Sequence, residues 1–266
     1  MKLLNGSELA GYIKQRHLQQ VHRLRASKVF PKLAIVQVND DPAINTYVRL
    51  KKQYGADIGV EVEVHRLEQK DVPALLEQLN NDENVHGIII QLPLTDTSET
   101  DKIVNLVAPQ KDVDSLGEKS QFEPATPMAI LWLLNGYNIE LKNKKVLLVG
   151  RGKLVGEPLE KILNQSSIDV EAVDRDVQNL VDKAKNADVI ITATGSPGLL
   201  KADMIKQGAV IVDAGVASEE GKTVGDLDPV VYKRDDLTIT PEKGGVGPLT
   251  VCALFENVIR AAQKTK

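Results

Sequence analysis

Cysteine is almost absent from the chain. Cys252 is the only one in 266 residues, so no disulfide can form within the chain and no zinc cluster of cysteines can be built. Histidine is nearly as scarce. His17, His22, His65 and His86 are scattered without metal-ligand spacing, and the expectation is surface or half-buried histidines and no metal. No apolar run approaches the roughly 20 residues that a membrane helix needs. The opening stretch, MKLLNGSELAGYIK, lacks the apolar core of a signal peptide. There is no G-x-S-x-G elbow and no P-loop. Charge is plentiful but balanced: charged residues make up 26% and the net charge is -4, which favours neither nucleic acid nor an anionic membrane as a partner. These absences point to a soluble cytoplasmic protein. The simplest chemistry left is that of a nicotinamide enzyme with neither a metal nor a covalent nucleophile.

Short apolar runs alternate with longer amphipathic segments. KLAIVQV (32–38), VEVEVHRL (60–67) and GIIIQLPL (87–94) read as strands, with helical patterns at 7–27, about 42–57 and 71–80. A second series follows in KVLLVG (145–150), DVEAV (169–173), DVIITATG (188–195), AVIVDAG (209–215) and LTIT (237–240). Continuous Val/Ile runs separated by helices predict parallel strands buried on both faces. The reading is two α/β units. Pro124 and Pro127 break the chain near 122–138, where a short apolar helix follows. A last helix, about 249–264, follows a Gly-rich loop and is expected to pack back on the first unit.

Tyr47 and Lys51 lie four apart in the helical stretch TYVRLKKQYG. That spacing puts both side chains on one helix face, which suits a catalytic pair and ordinary helix surface alike. The stronger signal is VLLVGRGKLVGEPLEKIL, where an apolar strand ends at Gly150 and Gly152 and Gly156 follow before a helix. Glycines let the backbone turn sharply beside a pyrophosphate, and the helix N-terminus offers free N–H groups to it. The interval from Gly152 to Gly156 is one residue longer than in the usual dinucleotide fingerprint. Asp174, which follows the second strand, is placed to hold a ribose 2′-hydroxyl, and Arg175 beside it to hold a 2′-phosphate. Local chemistry therefore leaves NAD and NADP open. Gly195 in TATGSPG and Val216 in DAGV stand at two further strand ends, where open α/β sheets bind ligands.

TYVRLKK, IIIQLPL, PQKDVDSL, VGRGKLVGEP, ATGSPG, KQGAVIVDAGV and GGVGPLT occur in this order along the chain. Together they resemble the bifunctional methylenetetrahydrofolate dehydrogenase/methenyltetrahydrofolate cyclohydrolase family over nearly the whole length. The resemblance implies an N-terminal three-layer α/β domain (1–122 plus 249–266), a Rossmann-type dinucleotide-binding domain (123–248), a cleft between them and a homodimer. It implies that Tyr47 stacks near the folate and that Lys51 is the key catalytic group. Gln91 matches the glutamine that hydrogen-bonds the lysine, and Asp114 the aspartate that binds the pterin. Leu92, Gly247 and Pro248 join the substrate site. Gly150, Arg151, Gly152, Asp174, Arg175, Gly195 and Val216 form the cofactor site. Some members carry His-Arg after the second strand, and Arg175 fits that arginine, so NADP is favoured over NAD.

The chain departs from the family pattern at five places. Ser115 stands where glycine is usual, Ala125 where cysteine is, Ala129 where a second glycine is, and Gly152 where serine is common. Glu242 lies where the family usually reads Pro-Val-Pro. Ser115 and Glu242 bear on folate affinity, Gly152 and Asp174 on cofactor choice. Two competing readings are another Rossmann-fold dehydrogenase and a non-catalytic folate- or nucleotide-binding relative. The first accounts for the Gly150 turn but not for QLPL, KDVD and GGVGPLT together. The second is opposed by the intact Lys51, Gln91 and Asp114.

Overall fold

The computed structural model describes residues 1–219 and 222–264. The chain divides into two compact units, one of residues 11–125 and 251–266, the other of 1–10 and 126–250. The sequence assigns 1–122 and 249–266 to a single domain. The structure instead groups the first ten residues with the second unit, because the chain opens on a strand of that unit's sheet.

That strand is β1 (Lys2–Leu3), and α1 (Gly6–Ala26) follows it. The first unit then builds β2 (Lys32–Gln37), α2 (Pro42–Ile58), β3 (Glu61–Arg66), α3 (Val72–Asn81), β4 (Gly87–Gln91) and α4 (Thr100–Val104). Its sheet runs β3-β2-β4, all parallel. β4 is buried at every residue and β2 at all but the first, as continuous Val/Ile runs require of strands covered on both faces. β3 lies at the edge, with Glu61 and Glu63 on its outer positions paired to Lys32 at 3.1 and 3.0 Å, and an edge carrying charge resists pairing with foreign strands. In α3, Val72, Leu76 and Leu79 recur at helical spacing and are all buried.

The second unit continues with α5 (Ala125–Gly136), β5 (Val146–Val149), α6 (Gly156–Gln165), β6 (Val170–Val173), α7 (Leu180–Asn186), β7 (Val189–Thr192), β8 (Val210–Asp213), β9 (Ala217–Glu219), β10 (Lys222–Val224) and β11 (Thr238–Ile239); the last helix, α8 (Val246–Lys264), starts in the second unit and from residue 251 belongs to the first. Its six-stranded sheet has the order β1-β11-β8-β7-β5-β6, and its pairings are parallel. Counted from β5, the strand order reverses between β5 and β7, and open α/β sheets bind their ligands at such a reversal, outside the carboxyl ends of the strands. β9 and β10 form a separate antiparallel hairpin.

Two histidines depart from expectation. His17 is fully buried, its Nδ1 2.9 Å from the Tyr54 hydroxyl and its Nε2 2.9 Å from Glu256. His86 is buried as well and accepts the Lys32 N–H at 3.3 Å. Both nitrogens of His17 find polar partners from α2 and α8, and that satisfaction is what allows an imidazole in the core. Among the described residues no group of His, Cys, Asp and Glu could hold a metal ion, and no helix is long and apolar enough to cross a membrane.

Candidate active site

The first unit assembles its polar centre at the C-terminal end of β4. Gln91, the last residue of that strand, is 9% exposed, and its Oε1 accepts a hydrogen bond from Lys51 Nζ at 2.9 Å. Gln91 Nε2 donates to the Leu92 carbonyl at 3.2 Å, which fixes the amide so that its oxygen faces the lysine. Lys51 comes from α2, one turn after Tyr47, which keeps 37% of its surface exposed. The KDVD segment runs alongside β4: Ile88 donates its N–H to the Lys111 carbonyl at 2.7 Å and bridges in parallel to Asp112. That register carries Asp114 toward the same strand end as Gln91.

Burial dominates the electrostatics here. It pushes the Lys51 ammonium below its ordinary value, and the nearby Asp114 carboxylate opposes this. Burial likewise pushes Asp114 up, with Lys51 opposing. Each charge is thus the partial remedy for the other's lost solvation. Asp112 is held high as well, first by burial and further by the charge of Asp114, against hydrogen bonds from the Gly117 and Leu116 amides.

Ser115 explains one departure. Its φ is 58°, in the left-handed region that glycine adopts freely and other residues adopt at a cost. Its hydroxyl donates to the Phe122 carbonyl at 2.7 Å, an interaction glycine would lack. Ala125 and Ala129 are both buried, so small side chains suit the start of α5. Glu242 is exposed.

In the second unit the glycine turn sits where the strand order reverses. Gly150 has φ 106°, and a Cβ there would lie 2.5 Å from the Ala193 carbonyl oxygen. At Gly156, the first residue of α6, a Cβ would lie 1.9 Å from the Gly150 carbonyl oxygen. The long interval therefore still delivers a glycine to the close helix–strand contact. Gly152 has open space around it, so a serine would fit there without strain. Arg175 Nη1 reaches the Ser196 hydroxyl at 3.3 Å, which joins the end of β6 to the loop after β7. In that loop Gly195 has φ 65°, and a Cβ would meet the Val216 carbonyl oxygen at 3.1 Å. Gly150, Arg175, Gly195 and Val216 thus gather at one sheet end, with Asp174 exposed beside Arg175. Arg151 makes a 3.2 Å ion pair with Glu160. Gly247 and Pro248 lie in the first turn of α8, within the second unit.

Two positions escape sequence reasoning. Asn257 on α8 donates to the Val113 and Glu123 carbonyls, both at 2.9 Å, and so pins the segment that carries Asp114. Asp226 accepts the backbone N–H groups of Thr194 and Ser196. A lone asparagine in an amphipathic helix and an aspartate in a loop carry no local signal for such roles.

A parallel sheet with a glycine turn at its strand-order reversal, in a chain that also holds a half-buried lysine coupled to a half-buried carboxylate, defines a two-unit dinucleotide-dependent α/β enzyme. Residues 4–114 match the family description "Tetrahydrofolate dehydrogenase/cyclohydrolase, catalytic domain", and residues 124–266 its "NAD(P)-binding domain". The chain belongs to the tetrahydrofolate dehydrogenase/cyclohydrolase family. The bifunctional protein FolD of Moorella thermoacetica is 36% identical, with 99% of each chain covered. The crystal structure of FolD methylenetetrahydrofolate dehydrogenase/cyclohydrolase from Campylobacter jejuni is 35% identical, with a TM-score of 0.93 and 99% of each chain covered. The Trypanosoma brucei methylenetetrahydrofolate dehydrogenase-cyclohydrolase, solved with NADP cofactor and an inhibitor, is 28% identical with a TM-score of 0.92, covering 98% of this chain and 97% of that one.

Proposed function

We propose that the chain oxidises 5,10-methylenetetrahydrofolate to 5,10-methenyltetrahydrofolate with NADP and hydrolyses the product to 10-formyltetrahydrofolate. The observation that carries this reading is the Lys51–Gln91 hydrogen bond beside Asp114, in a chain of this family. NADP, when bound, supplies the hydride acceptor for the first step. Gly150, Gly152, Arg175, Gly195 and Val216 are the residues to hold it, and the close backbone approaches at Gly150 and Gly156 make the kind of cradle a dinucleotide needs. Arg175 suits a 2′-phosphate through a charge-assisted contact, which supports NADP over NAD.

Asp114 orients the pterin by accepting from its N–H groups, and Tyr47 offers a ring face to the folate. The methylene carbon lies between two nitrogens, whose lone pairs drive hydride loss. The first step then requires orientation more than a strong base. In the second step water attacks the methenyl carbon. Lys51, pushed toward neutrality by burial, takes a proton from that water at Nζ, while Gln91 holds the amine in place. Afterwards the bond from that carbon to the ring nitrogen breaks as the formyl C=O forms: the hydroxyl proton is released to solvent, and Lys51 returns its proton to the departing nitrogen. By family resemblance the protein works as a homodimer in the cytoplasm.

The test is spectroscopic. Formation of the methenyl compound is followed at its own absorbance with NADP and then NAD, and decay of added methenyl compound is followed without cofactor. Lys51→Met is expected to abolish the decay activity while cofactor binding and fold are kept. Decay at the wild-type rate in that variant would overturn the role of Lys51.

A further inference from the structure

Two fully or largely buried carboxylates, Asp213 and Asp226, lie outside the residues assigned above. Asp226 is 0% exposed. Its Oδ2 accepts the Thr194 N–H at 2.7 Å and its Oδ1 the Ser196 N–H at 2.8 Å. Asp213, the last residue of β8, accepts from the Thr192 hydroxyl at 3.1 Å, from the Gly215 N–H at 2.9 Å and from the Asp226 N–H at 3.0 Å. The Asp213 side chain thus holds the backbone of Asp226, whose own carboxylate holds the 194–196 loop. A Cβ on Gly215 would lie 2.2 Å from the Asp226 carboxyl group, and one on Gly225 would lie 2.0 Å from an Asp213 oxygen. Each carboxylate therefore occupies the space a side chain on the opposite segment would need.

Burying two like charges side by side is expensive, and burial together with the neighbouring Asp226 charge holds the Asp213 carboxyl above its usual range. A loop that needed only to be tied down could be tied by neutral groups at less cost. What the arrangement achieves is selective. The amides on either side of Gly195 are both engaged by Asp226. Among the described residues, the N–H of Gly195 itself has no hydrogen-bond partner. Gly195 also lies on the loop that Arg175 reaches through Ser196, at the sheet end where Gly150 turns.

We propose that Asp226 is a positioning residue for the dinucleotide: by holding the Thr194 and Ser196 amides it fixes the 194–196 loop so that the Gly195 N–H is left to donate to the bound cofactor. The inference rests on the cofactor site proposed above. The hydrolytic step uses no dinucleotide, so a positioning role predicts a split between the two activities, whereas a general structural role does not.

The experiment has two arms. In Asp226→Asn the side-chain amide turns N–H groups against one backbone donor. The KM for NADP is expected to rise about tenfold, while kcat/KM for methenyltetrahydrofolate hydrolysis stays within twofold. A parallel fall in both activities, or an unchanged KM for NADP in the folded variant, would overturn the proposal. The second arm needs no variant. Amide hydrogen exchange of the wild-type protein is read with and without saturating NADP, and binding itself is titrated separately. Thr194 and Ser196 are expected to be protected in both states, and Gly195 only with NADP. Binding of NADP without protection of Gly195 refutes the positioning role alone. Absence of any NADP or NAD binding refutes the cofactor site, and the positioning role with it.

Discussion

Replacing Asn257 by alanine tests how the segment that carries Asp114 is held. Asn257 is 4% exposed, and its Nδ2 donates to the carbonyls of Val113 and Glu123. Val113 is fully buried, so its carbonyl has no water to turn to. An acceptor stranded in that way costs about 1–3 kcal/mol. Glu123 is exposed, and its carbonyl can be rehydrated, so its share is smaller, roughly 1 kcal/mol. The expected loss is about 2–4 kcal/mol. For a chain of this size, at about 2 °C per kcal/mol, the melting temperature falls by roughly 4–8 °C. Gln263→Ala on the same helix is the control: Gln263 is exposed, and its loss stays within about 0.5 kcal/mol. The assay is thermal and urea unfolding of both variants, followed by the KM for methenyltetrahydrofolate. Because the Val113 carbonyl belongs to the peptide unit that leads into Asp114, the KM rises several-fold in Asn257→Ala and not in Gln263→Ala. A melt indistinguishable from the control, with an unchanged KM, would refute the inference that α8 holds the Asp114 segment in place.

If Lys51 acts as a base, hydrolysis speeds up as pH rises through its pKa, which burial sets below the ordinary 10.5. In Asp114→Asn the carboxylate that favours the ammonium is gone, so the rising limb of the pH–rate profile shifts to lower pH and the folate KM increases in both reactions; a limb that moves up or stays put counts against this coupling. Ser115→Ala keeps the left-handed backbone and loses the bond to Phe122, so denaturant melts are expected to show a loss of about 1 kcal/mol. Ser115→Gly trades that bond against relief of the strained φ and stays within about 1 kcal/mol of the parent. Arg175→Ala is expected to remove the preference for NADP over NAD in kcat/KM. A wild-type preference for NAD, reversed by Asp174→Ser, would show instead that the carboxylate reads the ribose.

What sequence reveals depends on the distance over which the signal acts. The strands β2, β4, β5, β7 and β8 are legible because burial on both faces demands unbroken apolar runs, and five such runs stand out in the chain. Tyr47 and Lys51 are legible as one helix face because four residues make one turn. The meeting of Lys51 with Gln91 is a tertiary fact that only family resemblance supplies. The lengthened glycine interval looks like a flaw on paper, yet Gly156 still reaches the Gly150 carbonyl, since helix geometry and not residue count decides the contact. Arg151 reads locally as a phosphate ligand, and only the fold shows that α6 brings Glu160 beside it. β1 is two residues long and exposed, with no alternation to betray it. His17 is misjudged because Tyr54 and Glu256, which make its burial tolerable, lie on two other helices.

The short opening strand has a consequence for biosynthesis. Lys2 pairs with Thr238, and Leu3 with Ile239, so the earliest strand of this sheet is completed only when β11, far along the chain, has emerged. The other unit waits as well, since residues 251–264 complete it. Neither half can close as it is translated, and every nascent intermediate that ends before residue 238 leaves the β11-facing edge of β8 without its neighbour. An open edge is a template for foreign strands, and late long-range pairing lengthens the time it stays open. The vulnerable moment for this protein is therefore its synthesis, and a stop codon or ribosomal stall ahead of residue 238 would release chains with both cores unfinished.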